Sequence, residues 1–221
     1  KAVGQLEKMV ALKPDNLTIR VQLAAYLAGQ NKLDEAEQVL RSAVADLPES
    51  VEAKLGLIQF LGSRRSADQA EQTLQDFVTA EPDVYRLRFA LADLYQAMGQ
   101  PDKMTAVYRE IIERDQLEPD GLKARAKLGA WLFTQGQTDE ARTLIDEVLA
   151  ESTQDSDALL TRAGIALSEK DTDRAVADLR TLLKNEPNSV KALRLLARAH
   201  AMRGEPDLAR ESLEKAVAAD P

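Results

Sequence analysis

The sequence predicts an all-α chain of antiparallel helix hairpins repeated along its length, on three observations. Prolines recur 34 residues apart at Pro14, Pro48 and Pro82, and again at Pro187 and Pro221. Alanines keep the same step at Ala2, Ala36 and Ala70, then at Ala141, Ala175 and Ala209. Between these markers apolar residues return every three or four positions, the period of a helix with one buried face, while Gly (10) and Pro (8) are sparse in 221 residues. A fixed period of this size marks a stack of similar units, each burying its apolar face on its neighbours.

Each unit is numbered so that its proline falls at position 32, which places unit starts at Leu17, Val51, Tyr85, Leu122, Ser156 and Val190. Residues 1–14 then form the second helix of a preceding half unit. Repeats follow at 15–48, 49–82, 83–119, 120–153, 154–187 and 188–221, as one continuous domain. Between the third and fourth units the step grows to 37, with the extra residues in 116–121.

The first helix of each unit carries Leu23, Leu57, Leu91, Leu128 and Leu196 at position 7, with Arg162 the departure. The second carries Leu40, Leu74, Tyr108, Ile145, Leu179 and Leu213 at position 24. Small residues at position 8 (Ala24, Ala92, Gly129, Ala163, Ala197) and position 20 (Ala, except Met104) let the paired helices approach closely. Position 18 is Asp throughout, at Asp34, Asp68, Asp102, Asp139, Asp173 and Asp207. A carboxylate in the first turn of the second helix meets the positive end of its dipole, which explains these acids better than catalysis does. Pro101 and Pro206 suit the first helical position. Gly99, Gly136 and Gly204 suit the left-handed residue that ends the first helix; Asn31 can take it, and Arg65 and Lys170 are poorer there.

These residues carry a family resemblance. The succession Leu128, Gly129, Gly136, Asp139, Glu140, Ala141 resembles the tetratricopeptide repeat, and the likeness covers essentially the whole chain. Ile58, Met104, Arg162, and Gln116 and Thr153 at the proline position depart from the pattern. The general look is similar to bacterial members, some of which act in envelope or polysaccharide assembly. The resemblance implies a right-handed superhelical α-solenoid whose first helices line a concave groove with positions 2, 5, 9, 12 and 13. By that rule the groove holds Val21, Ala25, Glu52, Leu55 and Gln59, then Arg86, Phe89, Asp93, Gln96, Lys123 and Phe133, then Leu160 and Leu167. Phe89 and Phe133 would suit an apolar anchor of a partner unless neighbouring helices cover them. Lysine–asparagine carboxylate clamps and asparagine ladders, two known groove chemistries of such arrays, find no matching residues.

The net charge of -8 argues against a nucleic-acid partner, although a local patch can differ. Cysteine is absent and His200 is the single histidine, so neither a thiolate metal site nor a catalytic dyad can be assembled. No phosphate-binding glycine loop occurs, and the expectation is no cofactor, no metal and no enzyme activity. The last unit reverses the local sign: its first helix carries Lys191, Arg194, Arg198 and Arg203 and no acid. Lys191, Arg194 and Arg198 lie three and four apart, one stripe that suits an acidic peptide or pairs with acids of a following repeat. Arg20, Lys54, Arg88 and Arg125, all at position 4, suit long stems packed between repeats with their heads in solvent.

The expected function is a protein- or peptide-binding scaffold that helps assemble a larger complex. The partner is expected to be acidic and partly apolar, and to contact Leu55, Arg86, Phe89, Asp93, Lys123, Phe133, Lys191, Arg194 and Arg198. The alternatives are a structural spacer or self-association module, or the non-catalytic part of a larger enzyme or envelope/polysaccharide-assembly protein. Lys1 falls inside a unit, so the expectation is a piece of a longer array. No stretch is long enough for a transmembrane helix. Leu208, Leu213, Ala216 and Val217 of the last helix are expected to lack a covering repeat and to pack end to end against another copy.

Overall fold

The computed structural model describes residues 2–220, and among them thirteen helices and no strand. They are α1 (Ala2–Leu12), α2 (Leu17–Gly29), α3 (Leu33–Asp46), α4 (Val51–Arg64), α5 (Ala67–Ala80), α6 (Tyr85–Ala97) and α7 (Pro101–Asp115). Then come α8 (Pro119–Thr134), α9 (Thr138–Glu151), α10 (Ser156–Ser168), α11 (Thr172–Asn185), α12 (Val190–Met202) and α13 (Pro206–Ala219). The place of Lys1 within a repeat and of Pro221 at the end of one lie outside the described residues, as does the side chain of Ala2.

Local chemistry explains where the helices start and stop. Asn16, Ser50, Ser66, Asp155 and Asp171 each accept a hydrogen bond from the backbone N–H three residues on, satisfying a donor that the first turn leaves free. All six position-18 aspartates lie in the first turn of a second helix. Gly99, Gly136 and Gly204 take the left-handed conformation at first-helix ends, and Asn31 and Lys170 take it too, with φ of 62° and 66°. Arg65 does not: its φ is -120°, α4 runs on to Arg64, and Arg65 serves as the C-cap.

The chain divides into two compact units, one ending at Val107 and the other starting at Tyr108, within α7. In the first unit α2 pairs with α3 and α4 with α5, while α3 packs on α4 and α5 on α6. In the second, α8 pairs with α9, α10 with α11 and α12 with α13, and first helices also meet, α8 on α10 and α10 on α12. Positions 7, 8 and 20 form the core of each, with Leu23, Leu57 and Leu128, Ala24, Ala92 and Ala163, and Ala36, Ala70 and Ala141 all buried. The demand for small residues is visible at Gly129, where an added Cβ would sit 3.0 Å from Ile145 Cδ1 and 3.3 Å from the Ala141 carbonyl oxygen. The lengthened joint at 116–121 closes on itself. Gln116 takes φ of 48°, Gly121 N–H donates to Asp115 Oδ2 at 2.8 Å, and a Cβ on Gly121 would collide with the Gln116 carbonyl.

Candidate protein-binding faces

Ser189 precedes α12, whose Ala192, Leu193, Leu196, Ala197, Ala199 and His200 turn inward and are buried. That periodicity leaves Lys191, Arg194 and Arg198 together on the exposed side. Among the described residues none of the three forms an ion pair, whereas Arg203 is drawn to Asp173 at 3.4 Å and to Glu205 at 3.2 Å. Unpaired guanidinium and ammonium groups aligned over two turns offer charge-assisted hydrogen bonds to carboxylates.

His200 is buried at the same end, and its Nδ1–H donates to Glu205 Oε2 at 2.5 Å, the tautomer following from the carboxylate partner. This hydrogen bond holds the Glu205 carboxyl below the usual carboxylate range, helped by the nearby Arg203 charge and opposed by partial burial. The pair fixes the turn between α12 and α13.

The other residues assigned to a groove divide. Arg86 is exposed and donates Nη1 to Glu52 at 2.6 Å, and Asp93 and Lys123 are exposed as well. Leu55 and Leu160 are half-buried. Two assignments, Phe89 and Leu167, are corrected. Phe89 is only 5% exposed and belongs to the core of α6, so it is no open anchor. Leu167 is buried within the α10 cluster. Phe133 is half-buried because its ring lies against the backbone of α10: an added Cβ on Gly164 would stand 2.9 Å from Phe133 Cε1. Hydrophobic periodicity tells which side of a helix is apolar, but not how far a neighbour wraps around it.

The position-4 cations are also corrected. Arg20, Lys54 and Arg88 are buried, heads included, and do not reach solvent. Arg20 donates Nε to the Pro14 carbonyl at 2.8 Å and Nη2 to Asp46 at 2.6 Å, and Arg88 donates Nε to the Pro82 carbonyl at 2.9 Å. Lys54 pairs with Glu81. Arg125 repeats the arrangement across the long joint, with Glu147 at 2.6 Å and the Gln116 carbonyl as acceptors. Each cation ties the loop before its helix, the end of the second helix, or both, and is structural. Arg162 was another departure, and it lies bidentate on Asp178, both oxygens at 2.8 Å.

Neither a membrane-spanning helix nor a cluster of three metal-ligating side chains occurs among the described residues. What sequence reasoning missed is a pocket between α2 and α4 with Arg64 at its edge.

Comparison with known proteins follows the same lines. Tetratricopeptide repeat family models match residues 89–156 and 160–221, and a further one matches 27–83. No curated protein is a match. Among solved structures, a tetratricopeptide repeat protein from Parabacteroides merdae superposes with a TM-score of 0.63 at 16% identity, covering 100% of this chain and 86% of that one. PilW, a type IV pilus biogenesis factor, gives 0.64 at 17% identity, covering 91% and 92%. The APC/C hetero-tetramer Cut9–Hcn1 gives 0.65 at 15% identity, covering 99% of this chain but 42% of that one. At these identities the likeness concerns the fold.

Proposed function

Since this chain belongs to the tetratricopeptide repeat family, we propose that it is a protein-binding scaffold without chemistry of its own, contacting its partner through the exposed sides of its first helices. The observation that carries the finer reading is the α12 stripe. In a chain of net charge -8, Lys191, Arg194 and Arg198 stand exposed on one face without an ion pair among the described residues. An acidic segment of a partner satisfies all three at once, and the positive field of this cluster attracts it. Similarity to PilW and to Cut9–Hcn1, a pilus biogenesis factor and a member of a hetero-tetramer, supports assembly work in general terms.

The test is charge reversal. Arg194→Glu with Arg198→Glu leaves the helical circular dichroism unchanged, weakens binding of a glutamate-rich peptide by at least about tenfold, and flattens its salt dependence. Equal affinity in the double variant would remove the stripe from recognition.

A second reading rests on α13. Position 24 is buried in the five earlier repeats, yet Leu213 is 50% exposed, and Val217 beside it is 67% exposed. Leu208, also exposed, lies on the other side of α13, while Ala216 is buried. We infer that this face packs on another copy at high concentration. Leu213→Lys with Val217→Lys then abolishes a concentration-dependent rise in sedimentation coefficient; a wild-type chain that stays monomeric at millimolar concentration contradicts it.

A further inference from the structure

We propose that the apolar pocket between α2 and α4 receives one aromatic or branched aliphatic side chain of a partner polypeptide, while Arg64 pairs with a carboxylate next to it in that partner. The proposal rests on the protein-binding reading and adds a second contact, in the first compact unit, with a defined occupant.

The pocket holds about 210 Å³. That is below the range of roughly 300–1,000 Å³ in which small-molecule ligands are bound, and suits a single side chain. Ala24, Ala25 and Ala28 line it from α2 and Gly56 from α4, with Phe60 as a wall. The pocket exists because these residues are small: an added Cβ on Gly56 meets nothing within 4 Å. The second unit shows what fills the equivalent place. Phe133 stands at position 12 of α8, the position of Ala28 in α2, and lays its ring on Gly164, position 9 of the next first helix, where α4 instead has the exposed Gln59 lining the pocket. Where the chain supplies its own ring there, the seat is occupied; where it supplies Ala28, the seat is open.

Arg64 gives the occupant its charge. It lines the pocket and is exposed, and among the described residues it forms no ion pair. Its neighbour Arg65 is held instead by Asp34 and by Glu37, the latter at 2.9 Å. An apolar side chain followed by an acid therefore meets both an apolar cavity and an uncompensated cation.

The experiment titrates the ¹⁵N-labelled chain with N-acetyl-Phe-Glu-amide, using N-acetyl-Ala-Glu-amide and N-acetyl-Phe-Lys-amide as controls. The expected result is saturable shifts of the Ala25, Ala28, Gly56 and Ser63 amides. The Ala probe binds at least about tenfold more weakly, because the apolar side chain carries the affinity. Arg64→Glu weakens the Phe-Glu probe by about threefold, as an exposed ion pair allows. Ala28→Phe supplies the ring internally, as Phe133 does, and abolishes the shifts. Should Ala28→Phe disturb the spectrum elsewhere, Gly56→Leu fills the pocket from the other helix and gives the same loss. No shift on α2 and α4 up to the probe's solubility limit, or unchanged shifts in both filled variants, overturns the proposal. Shifts confined to α12 overturn the pocket but leave the protein-binding reading intact. Shifts at these amides that grow with protein concentration in the absence of probe identify a second copy as the occupant and overturn the partner assignment.

Discussion

Arg162 donates to both oxygens of Asp178 at 2.8 Å, and Arg86 donates to Glu52 at 2.6 Å. The lengths are alike and the surroundings are not. The Arg162 and Asp178 side chains are 22% and 8% exposed, whereas Arg86 and Glu52 are 59% and 60% exposed. Removing one member of a largely buried bidentate pair strands the other, while water replaces an exposed partner. Asp178→Ala should cost roughly 2–4 kcal/mol in chemical denaturation, whereas Glu52→Ala should leave the denaturation midpoint essentially unchanged. Equal losses would mean that burial does not set these energies here. The pair was hidden in the sequence because Arg162 looks like a lone departure from Leu at position 7. The missed signal is a second departure in the same repeat, Asp178 at position 23, where the other repeats have Val39, Thr73, Val107, Leu144 and Ser212. Glu205 gives a pH prediction of definite sign. Its folded carboxyl titrates below the ordinary value, chiefly through the His200 hydrogen bond, so its stabilisation is present above the ordinary glutamate range and is lost as pH falls through the depressed value. Carboxyl-detected NMR should show that midpoint rising when His200→Phe removes the donor; a midpoint that stays put assigns the depression to Arg203.

At the scale of elements, the repeating lock accounts for an irregular feature of the last repeat. Position 4 is a cation in the first four full repeats but Leu159 and Leu193 in the last two, and position 26 changes from Glu147 in the fourth repeat to Lys215 in the sixth. A pocket of about 580 Å³ lies there, lined by Pro187, Leu193, Ser212 and Lys215, where Arg125 and Glu147 meet two repeats earlier. Leu193→Arg and Lys215→Glu should therefore couple favourably, by about 1–3 kcal/mol in a double-mutant denaturation cycle. A coupling of zero would show that the lock depends on more than these two positions. Two helical glycines test the backbone in opposite directions. Gly121→Ala drives a Cβ into Gln116, whose carbonyl carbon would be 2.9 Å away, and should cost on the order of 3 kcal/mol. Gly56→Ala meets open space and should gain about 0.5–1 kcal/mol in thermal denaturation. Helix ends were legible in the sequence because caps, prolines and left-handed residues act locally. The lock was not, because its carboxylates lie 22 to 27 residues from their cations, at positions that vary between repeats.

For the molecule as a whole, period and composition were enough to read an all-helical repeat, since each unit depends mainly on its neighbours. The binding surface was less legible. Charge on α12 could be read because its three cations share one stripe away from the helix's apolar positions, whereas Phe89 and Leu167 have positions the family turns outward and are nevertheless buried. The central claim, that the exposed first-helix side of α12 recognises acidic polypeptide, is tested most directly by mapping amide shifts as a glutamate-rich peptide is titrated into the labelled chain. The account predicts shifts centred on Lys191, Arg194 and Arg198 that shrink as salt rises and vanish in the Arg194→Glu, Arg198→Glu variant. Shifts confined to the second helices, or shifts on α12 that persist in that variant, would contradict it.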